Sequence, residues 1–255
     1  MRVDLNCDLG ESFGHYGLGE DEAMLCAVTS ASIACGLHAG DPSVMARTVA
    51  LAKRNGVAVG AHPGYPDLQG FGRREMKLSP DELEAFTLYQ IGALAGFCRV
   101  ADVPLVHVKP HGALYNTLAR EADLAAAMAH AVSTFDPDLI VVTLPDSALE
   151  QAAHTLGLRV AREGFADRAY HADGTLAPRS EPGAVIHDPT QAAERAVRMV
   201  TRGEVEATNG LVIPLRVDTL CIHGDTLGAA RIAAQLRTAL EAAGIQVTPL
   251  TQVLG

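Results

Sequence analysis

Residues 2–12 read RVDLNCDLGES. Val3, Leu5, Cys7 and Leu9 alternate with Asp4, Asn6 and Asp8, the period of a β-strand with two unlike faces. One face is apolar; the other carries two acids and an amide. Burying such groups costs about 2 kcal/mol or more each unless they are paired or put to use. The stretch therefore predicts a strand that packs its apolar side against helices and turns its polar side into an enclosed site.

The same grammar recurs along the chain. Strands are expected at 2–9, 29–35, 57–61, 105–109, 139–144, 158–163, 219–222 and 246–249, separated by longer Ala/Leu-rich helical runs. Asp41-Pro42 and Asp188-Pro189 read as helix N-caps followed by Pro in the first turn, and Ser79-Pro80-Asp81-Glu82 as a capping box. Asp146 and Asp225 read as further N-caps, and Gly157 and Gly244 as helix stops. Strand then helix, repeated, means a parallel sheet covered by helices. Nearly every strand ends in reactive groups: NCDLGES (6–12), ACGLHAGD (34–41), GAHPGYPD (60–67), HVKPHGALYN (107–116) and CIHGD (221–225). An open doubly wound sheet gathers such groups at one switch point, whereas a (β/α) barrel collects them at many strand ends. A single-domain α/β barrel over residues 1–255 is the expected architecture. Residues 164–182, with turn residues and mixed charge but no period, are expected to form a long loop or lid over the site.

Composition excludes several classes of function. With 255 residues, 48% hydrophobic and 20% charged, the chain is expected to fold as one soluble unit. No apolar run reaches the ~20 residues needed to cross a bilayer, and no basic-then-apolar leader opens the sequence. A cytoplasmic protein without a membrane or nucleic-acid partner is expected: the net charge is −10 and aromatics make up 4%, with no Trp. Five cysteines, with no CxxC pair, suggest neither a disulfide framework nor a zinc knuckle.

Alternation assigns the candidate site. Asp4, Asn6 and Asp8 share one face; so do Leu105, His107, Lys109 and His111, and so do Thr219, Cys221, His223 and Asp225. His38 and His62 join them at strand ends, and Ala58 and Gly60 beneath His62 are expected to leave room for a ligand. His130 and His154, in helical runs, read as surface residues, and Cys7, Cys35 and Cys221 as small buried groups rather than nucleophiles. Arg73, Arg74 and Arg168 are loop cations, any of which above a barrel could clamp a carboxylate. Imidazoles with carboxylates at converging strand ends suit a divalent metal, with His38, His62 and Asp8 as its ligands. Lys109 offers a second chemistry, polarising a carbonyl or phosphoryl oxygen with Asp8 or a histidine as general base. There is no GxxxxGK loop.

The strings VDLNCDLGESFG, ASIACGLHAGDP, GVAVGAHPGYPDLQGFGRR, VKPHGALYN, REGFADRAY and CIHGDT, in that order, closely resemble the LamB/YcsF family from Val3 to about Thr251. The resemblance implies a distorted (β/α) barrel of the glycoside hydrolase/deacetylase type. It also implies the A component of a three-part 5-oxoprolinase that works with subunits B and C. Such an enzyme opens the lactam of 5-oxo-L-proline (pyroglutamate) to L-glutamate while ATP, with Mg2+, is hydrolysed to ADP and phosphate. The inward-facing residues supply the candidates for that chemistry: Asp8, Lys109, His111 and Glu11 as catalytic, and Asn6, His38, His62, His223 and Asp225 as substrate-binding. The alternatives are a metal-dependent deacetylase or amidohydrolase acting without ATP, and a non-catalytic component that binds substrate. A homo-oligomer is compatible with each.

Overall fold

A computed structural model of the chain describes residues 1–178, 181–222 and 228–255. Seven parallel strands close on themselves: β1 (Arg2–Leu9), β2 (Ser30–Ala34), β3 (Ala58–His62), β4 (Leu105–Val108), β5 (Ile140–Thr143), β6 (Arg159–Phe165) and β9 (Thr219–Ile222), which pairs back onto β1. The run expected at 246–249 supplies only a two-residue strand, β10 (Gln246–Val247), paired with Arg2 and Val3 at the lower end of β1 and outside the closure. It is cut short because Pro249 already caps the helix α9 (Leu250–Val253). A hairpin of β7 (Glu204–Glu206) and β8 (Val212–Pro214) lies outside the barrel. Its signal, Asn209-Gly210 with Gly210 at φ 81°, stands in the sequence between two β-rich triplets.

Helices α1 (Asp21–Leu25), α2 (Pro42–Asn55), α3 (Pro80–Ala101), α4 (Gly112–Leu118), α5 (Ala122–Phe135), α6 (Ala148–Thr155), α7 (Pro189–Arg202) and α8 (Ala229–Ala242) fill the connections. Among the described residues none is both long and apolar enough to cross a membrane. The expected caps form at Asp41, whose side chain accepts from the Ser43 and Val44 amides, at Asp188, and at the Ser79/Glu82 capping box. Asp146 does not cap α6: it lies at φ 59°, its own N–H donates to Glu150 Oε2 at 2.6 Å, and Ser147 is the cap instead. The expected cap at Asp225 lies outside the described residues.

The main hydrophobic core lies between barrel and helices, where Val3, Leu5, Cys7, Leu9, Ile33, Val59 and Leu220 meet Val49, Ile91, Leu94, Met128, Val132 and Leu236. A second, smaller cluster of Ile140, Val142, Ala161 and Leu250, with Val106 against it, occupies the inner face, since Ala161 shares its side of β6 with Glu163. Leu250 of α9 closes this floor. The alternation expected through 105–111 holds only from His107 onward. The β3–β4 register shifts between Val59 and Gly60, so Leu105 packs with the outer core while His107 points inward.

Polar residues occupy the inner face elsewhere. Asp4 is fully buried and accepts from the hydroxyls of Thr29 (2.7 Å), Ser30 (2.6 Å) and Thr219 (2.6 Å). His107 Nε2 lies in hydrogen-bond contact with Ser32 Oγ at 3.0 Å. The room expected above Gly60 is taken by this histidine: a Cβ on Gly60 would collide with the His107 ring.

Burial pushes the Asp4 carboxyl up to about 6, although the three hydroxyls resist the shift. Because its folded value is raised, the stability tied to this group is fully present below the ordinary carboxylate range and is lost as pH climbs from about 4 through about 6. The raised value corresponds to roughly 3 kcal/mol at neutral pH. Asp4→Asn, which cannot ionise, is expected to gain about that much relative to the parent between pH 4 and pH 7. Urea unfolding at both pH values checks this; a pH-independent difference would mean that Asp4 titrates normally.

Candidate functional site

Lys109, just past the end of β4, turns its ammonium into the barrel and is almost completely buried. Asp8 Oδ1 and Glu163 Oε1 each lie 2.8 Å from Nζ, on strands β1 and β6. Asn6 Oδ1 at 3.0 Å and Cys221 Sγ at 3.1 Å complete the surround. Burial works against the charged amine, but Asp8, Cys221 and Glu163 together raise the lysine well above its ordinary value. Lys109 is therefore a fixed cation. Asn6 donates its Nδ2 hydrogens to Glu163 (2.9 Å) and to Thr219 (2.7 Å), which links the lysine through Thr219 to Asp4 below. Tyr115 of α4 donates to the other Glu163 oxygen at 2.8 Å, and burial beside that carboxylate raises its phenol well above the usual range.

A second cluster adjoins the first. His62, at the end of β3, has its Nδ1 2.7 Å from the Lys109 carbonyl, and His111 has its Nε2 2.8 Å from the Phe71 carbonyl. Their other nitrogens, His62 Nε2 and His111 Nδ1, face each other at 3.0 Å. His38 stacks on His111 with ring centroids 3.8 Å apart, and neither of its nitrogens has a hydrogen-bond partner among the described residues. Glu11 Oε1 lies 3.7 Å from His111 Nδ1, and Asp8 Oδ2 lies 3.4 Å from His62 Nε2. One ligand atom from each of Glu11, His38, His62 and His111 falls within 4.8 Å of the others. Burial pushes His38 and His111 well below the ordinary imidazole value, and His107 to about 3. Glycines make this crowding possible: a Cβ on Gly64 would meet the His38 ring at 2.6 Å, and one on Gly72 would lie 2.8 Å from both His38 and His111.

Both clusters open into a cavity of about 790 Å³ lined by Asp8, Glu11, His62, Lys109, His111 and Tyr115, with Arg73, Arg120 and Arg168 around it. Residues 166–178 of the segment expected as a lid border the cavity through Arg168, His171, Asp173, Thr175, Leu176, Ala177 and Pro178. Gly164 and Phe165, read as the start of that loop, belong instead to β6, because Leu220 and Cys221 of β9 are there to pair with them.

Asp8, Glu11, Asn6, His38, His62, Lys109 and His111 thus meet at one end of the barrel. His223 and Asp225 lie outside the described residues. Asn6 and His38 sit behind the cavity wall rather than on it. Cys7, Cys35 and Cys221 are buried with thiols pushed up by desolvation, as expected of inert cysteines. His130 and His154 are exposed on helices, paired with Glu84 and Glu150. Sequence reasoning passed over Glu163 and Tyr115. The signal for Glu163 was a lone acid at the C-terminal end of a barrel strand.

The profile of the LamB/YcsF family matches residues 3–255. The A subunit of 5-oxoprolinase from Pyrococcus abyssi is 57% identical over 255 residues, covering 100% of both chains. A crystal structure of a lactam utilization protein from Thermus thermophilus is 53% identical and superposes with a TM-score of 0.93 over 97% of this chain and 99% of that one. A CE4-family pseudoenzyme with restored enzymatic activity, 13% identical with a TM-score of 0.50 over 100% of this chain and 67% of that one, shares the deacetylase-type (β/α) barrel alone. With strand-end motifs, barrel and full-length similarity in agreement, this chain belongs to the LamB/YcsF family.

Proposed function

We propose that the chain is the A component of an ATP-dependent 5-oxoprolinase, which opens 5-oxo-L-proline to L-glutamate in a cytoplasmic complex with subunits B and C. The observation that carries the reading is a buried ammonium held between two carboxylates beside a polar cavity, in a chain 57% identical to a protein named as that component of 5-oxoprolinase.

A five-membered lactam is an unstrained amide with a poor leaving group. Phosphoryl transfer from Mg2+-bound ATP to the lactam oxygen, with loss of the N–H proton, gives an imidate-like phosphate and ADP. Water then adds to the activated carbon, the C–N bond breaks, and the nitrogen takes a proton to become the amine. A second water splits the resulting acyl phosphate into carboxylate and phosphate. Lys109 is placed to stabilise negative charge developing on the oxygen or phosphoryl group, and its surroundings hold it charged throughout. Asp8, which borders the cavity, takes the proton of the attacking water; Glu11 and His111 border the same cavity and assist proton transfer. Glu163 and Tyr115 hold the lysine in place.

Glutamate and ADP release from 5-oxoproline and ATP should appear only when this chain is combined with subunits B and C, and not with either part alone. An inactive mixture of folded subunits with Mg2+ would remove the oxoprolinase reading and favour an amidohydrolase acting without ATP. Within the active complex, Lys109→Met is expected to cut turnover at least ~100-fold. It also leaves Asp8 and Glu163 without their counter-ion, which destabilises by about 3 kcal/mol or more. Lys109→Met combined with Glu163→Gln should recover part of the melting temperature but none of the turnover; near-normal turnover in either variant would exclude the lysine from the mechanism.

A further inference from the structure

We propose that Glu11, His38, His62 and His111 bind one divalent transition-metal ion of the Zn2+ class. Protons and lone pairs do not pair off among these side chains. A carbonyl oxygen only accepts, so His62 Nδ1 must carry the hydrogen in its 2.7 Å contact with the Lys109 carbonyl, and His111 Nε2 must carry it in its 2.8 Å contact with the Phe71 carbonyl. In neutral rings the remaining nitrogens, His62 Nε2 and His111 Nδ1, are then both bare lone pairs, and they face each other at 3.0 Å. The carboxylates beside them do not relieve this: Glu11 Oε1, 3.7 Å from His111 Nδ1, and Asp8 Oδ2, 3.4 Å from His62 Nε2, are acceptors too. His38 adds an imidazole that is fully buried and has no hydrogen-bond partner at either nitrogen among the described residues. Two imidazole lone pairs facing each other at 3.0 Å, beside a buried imidazole with no hydrogen-bond partner among the described residues, call for a cation.

The donor set says which kind. Three imidazoles and one carboxylate suit a borderline ion such as Zn2+, whereas Mg2+ prefers oxygen ligands and water. The backbone carbonyls that fix His62 and His111 are the outer partners that metal-bound histidines use to set ring orientation. Asp8, expected from sequence as a ligand with His38 and His62, gives Oδ1 to Lys109 and turns Oδ2 to His62 Nε2 at 3.4 Å, while the ligand atoms that fall within 4.8 Å of one another come from Glu11, His38, His62 and His111. The site shares its cavity with the reaction proposed above, but its case stands on geometry alone.

The test reads binding without turnover, so its failure and that of the oxoprolinase reading are separable. The full chain, stripped with a chelator and desalted, is titrated calorimetrically with ZnCl2 and, separately, with MgCl2. One Zn2+ per chain with a Kd below about 1 μM, undisturbed by Mg2+, is expected. His38→Gln and His62→Gln should weaken binding at least tenfold, and His130→Ala, an exposed helical histidine, should leave it unchanged. Circular dichroism monitors folding, and if the histidine variants do not fold, the near-isosteric Glu11→Gln decides by the same tenfold criterion. No stoichiometric Zn2+ binding by the parent chain, or equal affinity in the folded variants, overturns the assignment.

Discussion

The Lys109 ammonium, clasped by Asp8 and Glu163 at 2.8 Å, is the constraint around which the barrel is arranged. A barrel of this kind is ordinarily filled by layers of Val, Ile and Leu. Here the upper layers hold a cation, two carboxylates, an amide and several imidazoles, drawn from the ends of several strands. Desolvating an ion pair consumes most of its Coulombic gain, so this cluster adds little net stability while penalising the loss of any one member heavily. Stability must come from elsewhere. It comes from the apolar faces of the same strands, packed against the helices, and from the small inner floor of Ile140, Val142 and Ala161 closed by Leu250.

That division explains the chemistry of each strand. β1 must be apolar outward to pack against the helical layer and polar inward to reach Lys109, so it alternates strictly; its seven last residues are all buried, whichever way they point. Hydrogen bonds connect the layers. Asp4 fixes Thr219, Thr219 and Glu163 fix Asn6, and Asn6 fixes Lys109, so the Asp4 layer and the cavity wall form one network rather than two.

Much of this was legible in the sequence because alternation survives folding when both faces of a strand are under demand. It placed Asp4, Asn6 and Asp8 together and turned Lys109 and His111 toward them. It failed where backbone geometry departs from a regular strand. The register shift beside Gly60 put Leu105 outside. Glycine misled in another way. Gly60 looks like space for a ligand, but its missing side chain is filled by His107, as those of Gly64 and Gly72 are by His38 and His111. Which neighbour uses a glycine's vacancy is a three-dimensional fact that no local pattern encodes.

The two halves of the site differ in a way that bears on how it works. Around Lys109, one ammonium meets Asp8, Glu163, Asn6 and Cys221, and the cation is surrounded by groups that are themselves held. Around the histidines, His62 and His111 each commit one nitrogen to a backbone carbonyl and face each other with the other, the arrangement on which the metal proposal rests. The cavity that joins them, at about 790 Å³ with arginines around it, is larger than a five-membered lactam fills. On the proposed oxoprolinase reading, this volume and its guanidinium rim would receive a lactam that carries a phosphoryl group, with Lys109 meeting the charge and residues 166–178 bordering the cavity.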